Sequence, residues 1–142
     1  MATTINNTTV NSRVTIIFDA GGLLNGDGPA KGTGNTESDV YLDDKLYSNL
    51  RSHTEIASNI HALQWDASTN SGHIEYTTDV DNLAISSIPQ WATNVVIRCE
   101  AHDAWQTAYD AHADANAEDD SAAVTSANTA RTNYLTAHSI TY

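Results

Sequence analysis

The chain has 142 residues, with 18 acidic against 6 basic side chains and a formal charge of −12. That length suits one ordinary domain with a single core, and the charge excludes electrostatic docking on nucleic acid or on an anionic membrane. Cys99 is the only cysteine, so no internal disulfide and no multi-cysteine zinc site can form within one chain.

Residues 1–12 are rich in Thr and Asn and offer little to bury. They predict a mobile arm, or an extended strand that orders only on a neighbour. The start, Met1 to Asn7, lacks both the basic region and the apolar core of a secretory signal, and no apolar run approaches the ~20 residues needed to cross a bilayer. Synthesis and retention in a cytosol are expected. From Arg13 to Asp19, Val14, Ile16 and Phe18 alternate with Thr15 and Ile17, the strongest strand signal in the chain. Gly21-Gly22 and the Gly26 to Gly34 region, with Pro29, read as a surface or partner-wrapping loop. Within it Gly32-Thr33-Gly34-Asn35 lacks the lysine and hydroxyl pair of a phosphate-cradling loop. Val40-Tyr41-Leu42, then Asp43-Asp44, then Leu46, Tyr47 and Leu50 predict a short helix capped by the aspartates.

Ile60 to Trp65 and Gly72 to Thr77 flank a turn-rich segment and predict a hairpin, with Asn82 to Ser86 as a third strand of a meander. Leu63, Trp65, Ile74, Tyr76, Leu83 and Ile85 are spaced to share one face. Ser87 can cap a helix whose first turn takes Pro89, and Trp91, Val95 and Val96 return at helical spacing to roof that face. Helical periodicity continues to Ala137 in two stripes. One carries Trp91, Val95, His102, Trp105, Tyr109 and His112; the other carries Ala101, Ala104, Ala108, Ala111 and Ala115. Glu118 to Ser121 marks a break or an exposed turn, after which Ala123, Ala127, Ala130, Tyr134 and Ala137 resume the spacing. One long helix in a bundle of copies and a helical hairpin both fit. The small sheet cannot reach Trp105, which therefore needs a partner helix from the C-terminal segment or from a second subunit.

Catalytic chemistry finds no foothold. His102 and His112 lie too far apart along one helix to share an ion, and Asp110, Asp114 and Glu118 form a solvated acidic row. Asp79, Asp81 and Asn82 open like a calcium loop but lack its glycine and terminal glutamate. Cys99 with His102 reads as a core cysteine beside a helical histidine. No nucleophile elbow or HExxH helix occurs. The reading is therefore a non-enzyme with no catalytic, metal or cofactor-binding residue, its interface residues being Trp91, Val95, His102, Trp105, Tyr109 and His112. The expected class is α+β: a small antiparallel β-meander packed on a helix, an N-terminal strand or arm, and a C-terminal long helix or helical hairpin. Residues 1–59 form the arm, strand and glycine loop, 60–98 the sheet-plus-helix module, and 99–142 the alanine-rich extension.

The run Ile60-His61-Ala62-Leu63-Gln64-Trp65, then Gly72-His73-Ile74-Glu75-Tyr76, Asn82 to Ile85, and Ile88-Pro89-Gln90-Trp91-Ala92 resembles a pattern in small structural or tail-associated proteins of tailed bacteriophages, cyanophages among them. It covers about a quarter of the chain and brings no catalytic residue. The resemblance implies a virion component of the tail, fibre or neck appendages, assembled in the host cytoplasm. It would dock on other virion proteins through the arm and the 88–137 helices. A homo-oligomer is expected, a trimer by analogy with fibres. A capsid decoration protein and a tail-fibre assembly chaperone are alternatives of similar composition, and a hydrolase using histidines gathered by oligomerisation is a third.

Overall fold

A computed structural model describes residues 2–18, 37–51, 60–76, 80–115 and 120–140. The glycine loop of 21–34, Asp79 and Glu118 fall outside these residues. The chain is α+β. Strands β1 (Thr3–Ile5) and β2 (Thr8–Val10) form a small hairpin. A six-stranded antiparallel sheet follows, built from β3 (Arg13–Phe18), β4 (Glu37–Leu42), β5 (Lys45–Arg51), β6 (Ile60–Asp66), β7 (Ser71–Tyr76) and β8 (Leu83–Ile85), in the order β5-β4-β3-β6-β7-β8. Two helices complete the fold, α1 (Gln90–Ala115) and α2 (Asp120–Ala137).

Cross-strand partners share a sheet face, so the register identifies the core side. Ile16 faces Val40 and Leu63, Leu63 faces Ile74, and Ile74 faces Leu83. Trp65 faces Gly72, which faces Ile85. The six apolar residues of the meander thus lie on one side, as their spacing predicts. Val95, Val96, Ala92 and Cys99 join the sheet residues in one core, with Trp91 packed at its margin and tilted against Phe18 at 5.6 Å. Leu83, on the edge strand, stays half exposed. Pro89 stands just ahead of the first residue of α1, and its carbonyl accepts from the Ala92 and Thr93 amides.

Two expectations are corrected. The N-terminal stretch is a hairpin folded on its own chain: Ile5 and Val10 are buried in the main core, and Asn6 takes the left-handed conformation, φ 53°, that a two-residue turn requires. Its polarity misleads because only two of its side chains face inward. The helix expected around residues 40–50 is the β4–β5 hairpin. Asp43, at φ 56°, makes the turn, and its carboxylate accepts from the Asn11, Ser12 and Arg13 amides at 3.0, 2.6 and 3.1 Å. Those bonds hold the Asp43 carboxyl below the usual carboxylate range, that from Asn11 foremost. Aspartates that suit a helix N-cap suit a left-handed turn equally well.

The C-terminal segment is the helical hairpin. Ile97 and Ala101 of α1 and Leu135 of α2 form a second, smaller core with Tyr134 and Ile140 against it, and Ala123 and Ala127 are fully buried. Helix α2 ends in a Schellman motif: the Ile140 amide bonds the Leu135 carbonyl, the Ser139 amide bonds that of Thr136, and Ser139 sits at φ 59°.

Candidate functional site

Helix α1 divides along its length into a part spent on the core and a part that carries polar and aromatic groups outward. Val95 is buried under the sheet and Trp91 is half-buried on Phe18, so both serve the chain's own core. Further along, His102, Trp105 and Tyr109 form a stacked row: His102 to Trp105 at 6.2 Å and 12°, Trp105 to Tyr109 at 5.2 Å and 10°. Tyr47 of β5 meets His102 edge-on at 5.9 Å. The partner that Trp105 requires is α2, since its indole N–H donates to Asn128 Oδ1 at 2.9 Å. The rings remain accessible: His102 is exposed, and Trp105, Tyr109 and His112 are half-buried. His112 Nδ1 is buried with no hydrogen-bond partner.

Two acids that the sequence does not single out organise this end of the molecule. Glu100 accepts from the Asn7 amide at 2.9 Å, Thr8 Oγ1 at 2.6 Å, the Asn6 amide group and the Tyr134 hydroxyl at 2.7 Å. It ties the N-terminal hairpin to both helices. Burial pushes the Tyr134 phenol up. His138 stacks on Tyr134 at 4.6 Å, bonds its carbonyl through Nδ1, and meets Asn6 Nδ2 at 3.3 Å. Asp103 accepts from Lys45 Nζ at 2.9 Å and from the Tyr47 hydroxyl at 2.7 Å, and Lys45 lies 4.8 Å from the Tyr47 ring centre. Burial first, and Asp103 second, pushes the Tyr47 phenol up to about 12. Neither acid carries a local sequence signal, because each acts on residues far away in the chain.

Cys99 is fully buried and burial pushes its thiol up, away from the thiolate that nucleophilic attack demands. Among the described residues no group of three or more His, Cys, Asp or Glu side chains could hold a metal ion. No helix among them is long and apolar enough to cross a membrane.

A second feature lies on the sheet face turned away from the core. A polar cleft of about 570 Å³ opens there, lined by Arg13 of β3, Gln64 and Asp66 of β6, and Ser71, His73 and Glu75 of β7. Register brings them together: Arg13 pairs with Asp66, Asp66 with Ser71, and Gln64 with His73. Strand alternation could have exposed this row, but the apolar half of the same strands dominates the pattern.

Comparison with protein-family models, curated proteins and solved structures finds no match to this chain.

Proposed function

We propose that this chain is a non-enzymatic structural component of a tailed-bacteriophage virion, belonging to the tail, fibre or neck appendages and acting by docking on other virion proteins. The observation that carries the docking is the accessible row His102, Trp105 and Tyr109 on α1. Large aromatic groups held in one geometry lose little entropy on binding and recur at interface centres. Asn128 fixes the indole and Tyr47 backs the imidazole, so the row is organised before any partner arrives. The tail assignment rests on the resemblance carried by residues 60–92. A cysteine kept from ionising and a helical hairpin closed by alanine contacts suit a structural role.

The docking surface is narrower than the sequence implies. Trp91, Val95 and residues 3–10 are engaged in the chain's own fold, which leaves the outer part of α1.

The test is mass spectrometry of purified particles separated into heads and tails. Wild-type chain is expected in the tail fraction. Trp105→Ala combined with Tyr109→Ala should leave the circular dichroism spectrum unchanged and reduce incorporation at least tenfold. Absence from finished particles would assign an assembly chaperone instead, and recovery with heads a decoration protein. Normal incorporation of the double variant would remove the aromatic row as the docking site.

A further inference from the structure

We propose that the outer face of the sheet is a binding site for a neutral oligosaccharide. The cleft lies within the size range of small-ligand sites, and its lining is a set of hydrogen-bonding groups with unused capacity. Gln64 Oε1 accepts from Thr15 Oγ1 at 2.8 Å, so its Nε2 remains to donate. Asp66 accepts at Oδ1 from the Ser68 amide and hydroxyl, at 2.9 and 2.6 Å, takes a further backbone bond from Thr69, and lies in the field of the Arg13 guanidinium. His73 Nε2 and Glu75 Oε2 meet at 3.0 Å, leaving Glu75 Oε1 to accept and His73 Nδ1 to bond. Arg13 adds a guanidinium at the same wall. Donors and acceptors therefore alternate across one surface. A sugar hydroxyl gives one proton and accepts another, and so matches such a surface group by group.

The same side of the sheet runs on past the cleft, with Thr15 buried between the cleft and the exposed residues beyond it. Register runs Leu46, Tyr41, Thr15, Gln64, His73 across five strands, β5 to β7. At about 4.8 Å per strand that line spans roughly 19 Å. Tyr41 and Leu46, 39% and 45% exposed, lie at its far end.

Other occupants fit less well. Asp39, Asp66 and Glu75 share this face, so phosphorylated or sulfated chains are repelled. An apolar ligand would strand the charged lining without partners. A peptide that adds to a sheet uses the edge, and this is the face. A single cation cannot bridge Asp66 and Glu75: Asp66 is opposite Ser71, and four residues of strand, roughly 13 Å, separate Ser71 from Glu75.

The experiment is an array of neutral oligosaccharides of hexoses, deoxyhexoses and N-acetylhexosamines, with heparin as the polyanionic control. It is followed by amide NMR titration with the strongest neutral binder. Shifts are expected in β3, β6 and β7, with binding weakened at least tenfold in Glu75→Gln and in Arg13→Ala and melting temperatures unchanged in both. Failure of every neutral chain to bind, heparin binding of equal strength, or shifts confined to α1 and α2 would each overturn the proposal.

Discussion

The indole N–H of Trp65, on β6, donates to the hydroxyl of Thr3, on β1, at 3.0 Å, and Thr3 passes its own proton to Asn70 Oδ1 at 2.9 Å. Trp65 is 3% exposed, so this relay is what satisfies its one polar atom. Thr3→Val keeps the shape and removes the acceptor, at an expected cost of about 1–3 kcal/mol for a buried donor left unmade. Urea unfolding followed by tryptophan fluorescence measures it. Deleting residues 2–12 should do far more, since burial of Ile5 and Val10 is lost at about 1.5–3 kcal/mol each and Glu100 is stripped of three donors. A truncated chain that unfolds at the wild-type urea concentration would show the hairpin to be a dispensable arm after all.

Ser139 holds a left-handed conformation that costs a residue with a Cβ roughly 1 kcal/mol. The Schellman bonds and the packing of Ile140 on the Ile97, Ala101 and Leu135 cluster keep it there. Ser139→Gly should therefore stabilise the protein by about 0.5–1 kcal/mol, read as a higher denaturation midpoint with an unchanged slope. A loss of stability would mean that the hydroxyl has a part the backbone geometry does not show.

Tyr47 gives the alkaline limb of stability its sign. Its phenol is pushed up from 10.0 to about 12 in the folded chain, so its contribution is complete below pH 10 and is lost as pH rises from about 10 to 12, because the unfolded phenol ionises first. Lys45, also raised, chiefly by its bond to Asp103, acts in the same direction. Stability of the wild type should fall across that window, and Tyr47→Phe should fall less steeply. Tyrosinate absorbance should show one phenol ionising later than its fellows, and equal slopes in the two proteins would contradict the assignment.

Gly72 faces Trp65 across β6 and β7. A Cβ there would overlap the Gln64 carbonyl oxygen and lie 2.9 Å from Trp65 Cα, atoms of backbone that cannot rotate away. Gly72→Ala should cost about 2–4 kcal/mol, in the upper range for single substitutions, and lower the melting temperature. An unperturbed alanine variant would mean that the two strands can separate locally without loss.

The sequence carries the meander and the helices in their periodicity: Leu63, Trp65, Ile74 and Tyr76 alternate cleanly, and Trp91, Val95 and Val96 recur at helical spacing. The two N-terminal hairpins are hidden because Asn6-Asn7 and Asp43-Asp44 are equally at home in loops and helix caps, and only long-range pairing chooses. The aromatic row is visible by spacing, yet its membership is not. Val95 and Trp105 share a periodic stripe, yet the sheet core takes α1 residues only as far as Cys99, so Val95 is buried and Trp105 is left half-buried. Glu100 and Asp103 were invisible for a different reason. A carboxylate on a helix looks solvated until its donors, from residues such as Asn7 and Lys45, are brought to it by the fold.

The bond between Asn6 and His138 joins positions 132 apart in the chain. During synthesis the β1–β2 hairpin emerges before its partners Glu100, Tyr134 and His138. Until they follow, Ile5 and Val10 have only part of their eventual shelter, and the hairpin must stay soluble until α2 arrives. The hairpin's abundance of threonine and asparagine suits that wait: the polarity that conceals it from a reader also protects it from premature association.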